Sequence, residues 1–432
     1  MNNKTELIEK LNAETKEERL KALREIKKLH DAGVLPAPPK TQYVNNHIHT
    51  IYSFSPYSPT KALYMAWING LKTAGIMDHD SSSGAKEFIE AGEILNMPVT
   101  CGIECRVDAS ATPLKGKKIN NPDQISVAYV AMHGIPHQNI DAVNAWLAPY
   151  RAHRDERNKK MCKNITELVK NAGLSLDYEK DVLPLSRHSE GGSVTERHIL
   201  FALAKKITAR FPDCKDVLDF LVYDLKIPVS EKARGQILSG KENPDFYEYD
   251  ILGVLKSDMV EKFYIPATDE CPKMADFIAM TKKFGGISAY AYLGDVGASV
   301  TGDKKAQKFE DDYLPLLFET IHEQKFDAVT YMPTRNTREQ LDRIMKYCHD
   351  NDLFEISGED INSPRQSFVC EAMAQYRHLY DATYALIGHE RLASIDAANG
   401  MFSENTLASM PSLSDRIRYF AEAGREVLHK KI

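Results

Sequence analysis

The stretch NNHIHT contains two histidines, His47 and His49, separated by a single residue. If this stretch is a β-strand, side chains two residues apart point to the same face, and both imidazoles can reach one ion. Neutral imidazole nitrogens suit zinc, iron, manganese and nickel. A lone H-x-H pair is weak evidence, so a metal site requires further ligands that the fold brings to the same place.

Three more groups of polar residues follow apolar stretches further along the chain. His79 stands between Asp78 and Asp80 in GIMDHD, where either carboxylate could orient the imidazole ring or bind the metal itself. Glu104 follows in CGIEC and could bridge two ions. Asp360 stands in SGEDINSP, towards the C-terminus. Together with the histidine pair, these residues form a candidate set of nitrogen and oxygen ligands.

Each group also has an interpretation without a metal. Asp80 could cap the helix that SSSGAKEF predicts, and a single glutamate after a strand is usually a surface group. Chance, however, rarely places four polar groups at the ends of successive apolar strands. The order of the groups therefore favours a metal site.

Apolar and helix-like stretches alternate in two parts of the chain, 41–145 and 262–370. This alternation predicts βα units with parallel strand pairing, and such folds place their active sites at the C-terminal ends of the strands. Residues 146–261 lose the alternation and predict a mostly helical insertion or cap. We also predict a helical segment over 1–40 and helices over 371–432.

The composition of the 432-residue chain limits what the protein binds. The formal net charge is −6 without a long basic run, so long nucleic acid is not a favoured partner. A small anionic substrate is compatible with this charge, because a metal or a few arginines can dominate one site locally. The charged N-terminal stretch and the lack of an apolar run of about 18 residues predict neither a signal peptide nor a membrane span. Seven scattered cysteines favour reduced thiols and a cytoplasmic location. Cys101 and Cys105 could form a zinc pair, but no second Cys/His pair at zinc-finger spacing accompanies them.

The stretches HIHTIYS, GIMDHD and GIE, in this order and spacing, resemble the PHP (polymerase and histidinol phosphatase) family. GGSVTERHILFALAKKI looks like a helical-insert motif of PHP phosphoesterases. GGISAYAYLG stands where the family has a Gly-Gly-strand-His-Pro-Gly pattern, and SGEDINSP stands where it has Gly-Ser-Asp-x-His. The resemblance extends over residues 43–368.

This resemblance implies an α/β fold, a distorted (β/α)7 barrel of the PHP type with a mostly helical insertion. Such proteins bind two or three divalent ions and hydrolyse phosphate esters. The ligand positions of the family fall on His47, His49, His79, Glu104 and Asp360. The implied nucleophile is a metal-bound hydroxide, with Glu104 bridging ions. The residues predicted to act in catalysis are Glu104, His79 and Asp80.

Some positions depart from the family pattern, because other residues stand where the family has an aspartate or a histidine ligand. They are Phe54, Ser126 or Ala128, Tyr292 and Asn362. The losses predict one or two ions per chain, of zinc, manganese or iron, rather than three. His133 and His137 could replace a lost ligand, although a surface loop is the simpler explanation for both.

Several side chains near the motifs could hold an anionic substrate. A guanidinium group suits phosphate or carboxylate because it forms two parallel hydrogen bonds, and a tyrosine hydroxyl can donate one. In the family, the histidine of the helical insert faces the substrate phosphate. The predicted substrate-binding residues are Arg365, His198, Arg197, Tyr292 and Arg335. Arg365 is favoured because it lies five residues beyond Asp360, although each arginine alone also fits an ordinary surface charge.

These observations predict a metal-dependent hydrolase, a phosphoesterase that acts on a small phosphorylated substrate through a metal-bound hydroxide. Two alternatives stay open. The barrel could have lost catalysis and act as a metal- or ligand-binding or regulatory protein, as the missing ligands would allow. A nuclease that acts on short oligonucleotides is the other, because nucleases also occur in the family.

Overall fold

The computed structural model describes residues 2–297 and 306–429, which contain a seven-stranded sheet curled into a nearly closed barrel. The strands follow one another around the barrel in chain order. They are β1 (Val44–Ile48), β2 (Thr73–His79), β3 (Val99–Asp108), β4 (Val127–His133), β5 (Ile287–Ala291), β6 (Ala328–Tyr331) and β7 (Phe354–Ser357). A parallel bridge between Ile48 and Ile361 joins the first strand to the segment that follows the last one. The predicted distorted β/α barrel is therefore confirmed.

Strand β4 differs from the prediction of parallel pairing, because it runs antiparallel to both β3 and β5. The other neighbouring strands pair in parallel. The connection 109–126 between β3 and β4 contains no crossover helix. Strand β4 therefore begins at the end of the sheet where β3 stops, and it runs back in the opposite direction. Pairing with β4 also extends β3 to Asp108, and Glu104 therefore lies within the strand rather than at its end.

Helices surround the strands and form the rest of the described fold. They are α1 (Asn2–Lys10), α2 (Lys16–Asp31), α3 (Pro59–Ile68), α4 (Ala85–Leu95), α5 (Ile140–Val169), α6 (Glu196–Arg210), α7 (Cys214–Asp219), α8 (Glu231–Leu238), α9 (Pro244–Phe263), α10 (Met274–Lys283), α11 (Leu314–Gln324), α12 (Arg338–Asp350), α13 (Arg377–Ile395), α14 (Glu404–Ser409) and α15 (Leu413–His429). None of the helices in the described ranges is both long and apolar enough to cross a membrane.

The helices from α5 to α9 have an apolar core of their own. Its buried residues include Ile165 on α5, Leu203 on α6 and Leu255 on α9. Phe54, from the loop after β1, also belongs to this core, where its ring lies 5.0 Å from that of His198 and 5.7 Å from that of Phe201. The residue that replaces an expected aspartate ligand thus anchors the helical insertion.

Helix α13 lies at the end of the barrel away from the candidate ligands. Its residues Ala385 and Leu386 belong to one buried cluster with Met77, Ala131 and Ile287 from the strands. Helix α15 packs against α13 and contributes Phe420 to the same cluster. The C-terminal helices therefore form the floor of the barrel, and the opposite end carries the predicted site.

Candidate metal centre

Two asparagines before the histidine pair hold β1 against the end of β7 and the segment that follows it. The Asn45 side-chain oxygen accepts hydrogen bonds from the backbone N–H groups of His47 and Glu359, both at 2.9 Å. The Asn46 amide donates to the Ser357 carbonyl at 2.8 Å. Gly358 allows the close approach, since a Cβ atom there would lie 2.8 Å from the Cβ of His47. The sequence NN thus fixes the backbone that carries the first ligands.

His47 and His49 point into the barrel with their Nε2 atoms 3.2 Å apart. The Glu104 Oε2 atom lies 3.8 Å from His47 Nε2 and 3.9 Å from His49 Nε2. His79 Nδ1 lies 3.2 Å from the same oxygen, because the pairing of β2 with β3 places His79 beside Glu104. The Asp360 Oδ1 atom lies 3.2 Å from His49 Nε2. The five predicted metal ligands therefore form one cluster.

The spacing of these donor atoms fits a divalent metal ion. Nitrogen and oxygen ligands about 2.05 Å from a tetrahedral zinc ion are roughly 3.3 Å from one another, close to the separations observed here. The donor atoms of His47, His49 and Glu104 all lie within 4.8 Å of one another. The side chain of Asp360 is 34% exposed and that of His79 is 24% exposed, so the cluster opens to solvent. Imidazole and carboxylate donors with an open side suit a reactive metal centre.

Asp78 fixes the orientation of His49 through Ser53. Asp78 accepts hydrogen bonds from the Thr50 backbone N–H, the Thr50 hydroxyl and the Ser53 hydroxyl, each at 2.6 Å. Because Ser53 gives its one hydroxyl hydrogen to Asp78, its oxygen accepts from His49 Nδ1–H at 3.3 Å. The Nε2 lone pair of His49 therefore faces the other ligands. The sequence placed Asp78 beside His79, whereas the structure shows that it serves His49.

The electrostatics of the cluster favour a bound cation. Burial disfavours the charged form of His47, but the carboxylates of Glu104 and Asp360 outweigh this effect and raise its pKa. For His79, burial and the neighbouring His49 hold the pKa well below its usual range. Burial raises the pKa of Asp360, but His49, His47 and Arg197 more than reverse this and hold it well below the usual range. The site thus attracts positive charge while it keeps the His79 ring neutral.

The helical insertion brings two positive side chains to the open end of the cluster. Arg197 on α6 donates to the Asn362 side-chain oxygen at 2.6 Å, and the Asn362 amide donates to Asp360 at 2.5 Å. Lys256 lies on α9, and the positive charge of Arg197, followed by desolvation, lowers its pKa to about 8. Asp360 lies within electrostatic reach of Lys256. Arg197 and Lys256 therefore repel each other beside the candidate ligands.

Other predicted site residues have partners elsewhere. Arg365 forms two hydrogen bonds with Asp250, at 2.6 and 2.7 Å, which link the loop after β7 to α9. The Tyr292 hydroxyl donates to Asp311 at 2.5 Å. His198 is buried, and its Nδ1 accepts from the Thr195 backbone N–H at 3.0 Å as part of a helix cap. The favoured substrate role of Arg365 therefore has no geometric support.

Asp80 and Arg335 have different surroundings. Asp80 does not cap α4, since its carboxylate pairs with Arg154 on α5 instead. This pair places it in a buried ion network directly beside the ligand cluster. Arg335 is exposed, and within the described parts of the chain its guanidinium has no side-chain hydrogen bond or ion pair. The roles assigned to these two residues stay predictions.

Four residues that contribute to the site's surroundings were not identified from the sequence. Tyr129 on β4 points into the barrel, with its ring 5.8 Å from that of His79, whereas Ala128 belongs to the outer apolar core. Alternation along β4 could have identified Tyr129 as an inward-facing residue. The resemblance pointed to Ser126 or Ala128 instead, and Ala128 is one residue out of register. Asn45 and Asn46 precede the histidines in the sequence, but their side-chain amides donate to residues more than 300 positions away. Nothing in the sequence around Lys256 distinguishes it from a surface lysine.

Solved structures with this fold include two hydrolase-type proteins. A protein assigned as a metal-dependent phosphoesterase from Bifidobacterium adolescentis is 21% identical, with a TM-score of 0.50, over 78% of this chain and 96% of its own. An amidohydrolase from Chromobacterium violaceum, solved with bound sulfate and without metal, is 14% identical, with a TM-score of 0.50, over 79% of this chain and 96% of its own. Models of known protein families and curated proteins give no match. The chain shares the fold of these two structures.

Proposed function

We propose that this protein is a metal-dependent hydrolase that cleaves small phosphate esters. The observation that carries the proposal is the convergence of five imidazole and carboxylate ligands beside Arg197 and Lys256, two cations from the helical insertion. The fold shared with a protein assigned as a metal-dependent phosphoesterase supports the same reaction class.

The metal would be held by His47, His49 and Glu104, with His79 and Asp360 available for a second ion. A divalent ion there supplies a Lewis acid that polarises phosphoryl oxygens and lowers the pKa of water to near neutrality. The chain contributes the orientation of the ligands. Asp78 and Ser53 keep the Nε2 lone pair of His49 directed into the site. The low pKa of His79 leaves its ring nitrogens free of an extra proton at neutral pH.

The repulsion between Arg197 and Lys256 supports an anionic substrate. The positive charge of Arg197 lowers the pKa of Lys256, and an anion bound between the two cations would relieve that repulsion. Asn362 holds Arg197 next to Asp360, so a bound phosphoryl group would lie beside the metal ligands. These features favour a small phosphorylated substrate over a neutral amide.

A barrel that binds metal or ligand without catalysis is the second candidate. The observation in its favour is that Tyr292 and Asn362 stand where the resemblance expects histidine ligands and make other contacts. A centre with fewer ions would still bind an anion through Arg197 and Lys256. The two candidates differ in whether a bound phosphate ester is cleaved.

The test uses the full chain, freed of metal and reloaded with manganese or zinc. Phosphate release is measured for small phosphomonoesters and for short oligonucleotides with terminal phosphates. We expect release from small esters, loss of release in the double variant His47→Ala/His49→Ala, and a raised KM in Lys256→Met. Lys86→Met, which changes an exposed lysine paired with Asp141, is the matched control and should leave KM unchanged.

Three results would contradict the proposal. If the metal-loaded protein binds the esters but releases no phosphate, the binding role is favoured. If activity survives in His47→Ala/His49→Ala, the cluster is not the active site. Cleavage confined to oligonucleotides would make the protein a nuclease.

A further inference from the structure

A second group of metal-ligand side chains lies on the outside of the barrel. It consists of Cys101 on β3, His137 in the turn before α5, and Glu390 on α13, and their donor atoms lie within 4.8 Å of one another. Cys101 and Glu104 are three positions apart on β3, so they point to opposite faces of the sheet. This outer group is therefore separate from the candidate active site.

The fold holds these three side chains close together without a metal. Glu390 accepts a hydrogen bond from the Cys101 backbone N–H at 2.7 Å through one oxygen, and its other oxygen lies 2.9 Å from His137 Nε2. The His137 backbone N–H donates to the Ser394 hydroxyl at 2.9 Å, which fixes the turn against α13. The Cys101 carbonyl accepts from the Ile135 N–H at 2.9 Å. Strand, turn and helix thus keep their relative positions by contacts of their own.

The donor set and its accessibility point to a metal rather than to a closed ion pair. Cys101 and Glu390 are buried, whereas the His137 side chain is 44% exposed, so an ion can enter from solvent beside the imidazole. Glu93, exposed on α4, lies within electrostatic reach of His137 and adds negative charge near the entrance. Thiolate, imidazole and carboxylate together are ligands that zinc prefers.

We propose that Cys101, His137 and Glu390 form a second metal site, selective for zinc, that fastens α13 to the barrel wall. His137 Nε2 and the Glu390 oxygen must separate from 2.9 Å to roughly 3.3 Å to share one zinc ion, which a small rotation of the exposed imidazole provides. A fourth position faces solvent and takes water.

Binding at this outer site is coupled to the loss of protons. Burial and Glu390 hold the pKa of the Cys101 thiol well above its usual range, so the metal-free site carries S–H. Zinc replaces that proton, which leaves for solvent, and a protonated His137 loses a second one. Each zinc bound at pH 7 therefore releases one or two protons. Because the three ligands meet only in the folded chain, zinc also stabilises the native state.

Cobalt titration of the metal-free full chain tests the site, because cobalt bound to thiolate gives a sulfur-to-metal charge-transfer absorption that nitrogen and oxygen ligands do not give. We expect this absorption in the wild type and its absence in Cys101→Ser. Cys105→Ser is the matched control, since Cys105 is buried on the same strand and face but lies outside the group. The absorption should persist in His47→Ala/His49→Ala, which separates this test from that of the proposed function.

His137→Ala provides a second variant that should fold, because the side chain is half exposed. We expect it to weaken zinc binding at the outer site by at least about 100-fold, with the barrel site unaffected. Elemental analysis of the zinc-loaded proteins should show one equivalent fewer in Cys101→Ser than in the wild type. A wild type without the charge-transfer absorption, or an unchanged absorption in Cys101→Ser, would overturn the proposal.

Discussion

His79 and Asp80 are neighbours in the chain but belong to two charged clusters that balance their charges in different ways. His79 lies with the ligand cluster inside the barrel, where Glu104 and Asp360 supply negative charge and imidazoles supply lone pairs. Asp80 lies in an ion network between the barrel and the helical insertion, where it pairs with Arg154. Both clusters contain buried charged groups, but the chain supplies a complete counter-charge only for the ion network.

The ion network contains three guanidinium groups and three carboxylates that pair with one another. Arg106 contacts Glu196 at 2.9 Å and Glu270 at 2.6 Å. Arg154 contacts Glu270 at 3.2 Å as well as Asp80. The remaining arginine, Arg157 on α5, pairs with the same two glutamates. The network needs no further ion, and it ties the insertion to the strands that carry the ligands.

The ligand cluster lacks such a balance. Its carboxylates raise the pKa of His47, which shows that the metal-free site attracts a proton. The same negative charge would bind a divalent cation more strongly than a proton, because the cation can contact the imidazole and carboxylate donors together. Burial of charge alone therefore does not identify a functional site. The ligand cluster differs from the ion network because the protein's own cations do not fully balance its carboxylates.

The largest effect is expected where the balanced network loses one member. Arg154→Met leaves the buried carboxylate of Asp80 without its guanidinium and removes one partner of Glu270. We expect the free energy of unfolding to fall by about 3–5 kcal/mol, because an unpaired buried charge is costly. Chemical denaturation of the metal-free protein measures the change.

The control for this variant is Lys86→Met, which breaks an exposed ion pair with Asp141. Its expected loss is at most about 1 kcal/mol. A loss of similar size in both variants would show that the network contributes no more to stability than a surface pair.

The second effect concerns metal affinity rather than stability. His49→Ala removes the ligand that lies closest to both His47 and Asp360. We expect metal affinity at the barrel site to fall by more than about 100-fold. His349→Ala, which changes a surface histidine with a side chain that is 87% exposed, should leave affinity unchanged. Equal metal content in the two variants would remove His49 from the ligand set.

A smaller effect is expected from the hydroxyl that orients His49. Ser53→Ala removes the acceptor for His49 Nδ1–H and one of the three donors to Asp78. Metal affinity should fall by about 10- to 100-fold, as for other residues that orient a metal-bound histidine. Ser55→Ala in the same loop is the control, because the Ser55 hydroxyl accepts from the Tyr57 N–H and does not contact a ligand. Isothermal titration with manganese separates the two variants.

Local patterns in the sequence were sufficient to predict that the candidate metal ligands lie close together. Alternation on a strand placed His47 and His49 on one face, and the order of strands brought His79 and Glu104 beside them. These relations depend on neighbouring residues or neighbouring strands. The antiparallel direction of β4 was not predictable from alternation, because it depends on a connection without a crossover helix.

Contacts between distant segments explain what the sequence did not reveal. Arg365 adjoins the ligand motif in the chain, but its partner Asp250 is 115 positions away on the insertion. Lys256 on α9 lies within electrostatic reach of Asp360, which is 104 positions away in the chain, and no local pattern records that proximity. Tyr129 required the register of β3 against β4, since a shift of one residue places Ala128 inside instead.

The smallest effect expected is a pair of opposite pH dependences within the ligand cluster. In the metal-free protein the folded-state pKa of His47 is raised above 6.5, so its stabilising contribution is present at low pH and is lost as pH rises through that pKa. The folded-state pKa of His79 lies well below 6.5, so its neutral ring destabilises the folded state as pH falls below 6.5. The unfolding free energy of the wild type relative to His47→Ala should therefore decrease as pH rises. The corresponding difference relative to His79→Ala should increase over the same range. Urea denaturation at several pH values around 6.5 measures how each difference in unfolding free energy depends on pH. If both differences change in the same direction, the cluster does not hold a shared proton in the place of a metal ion.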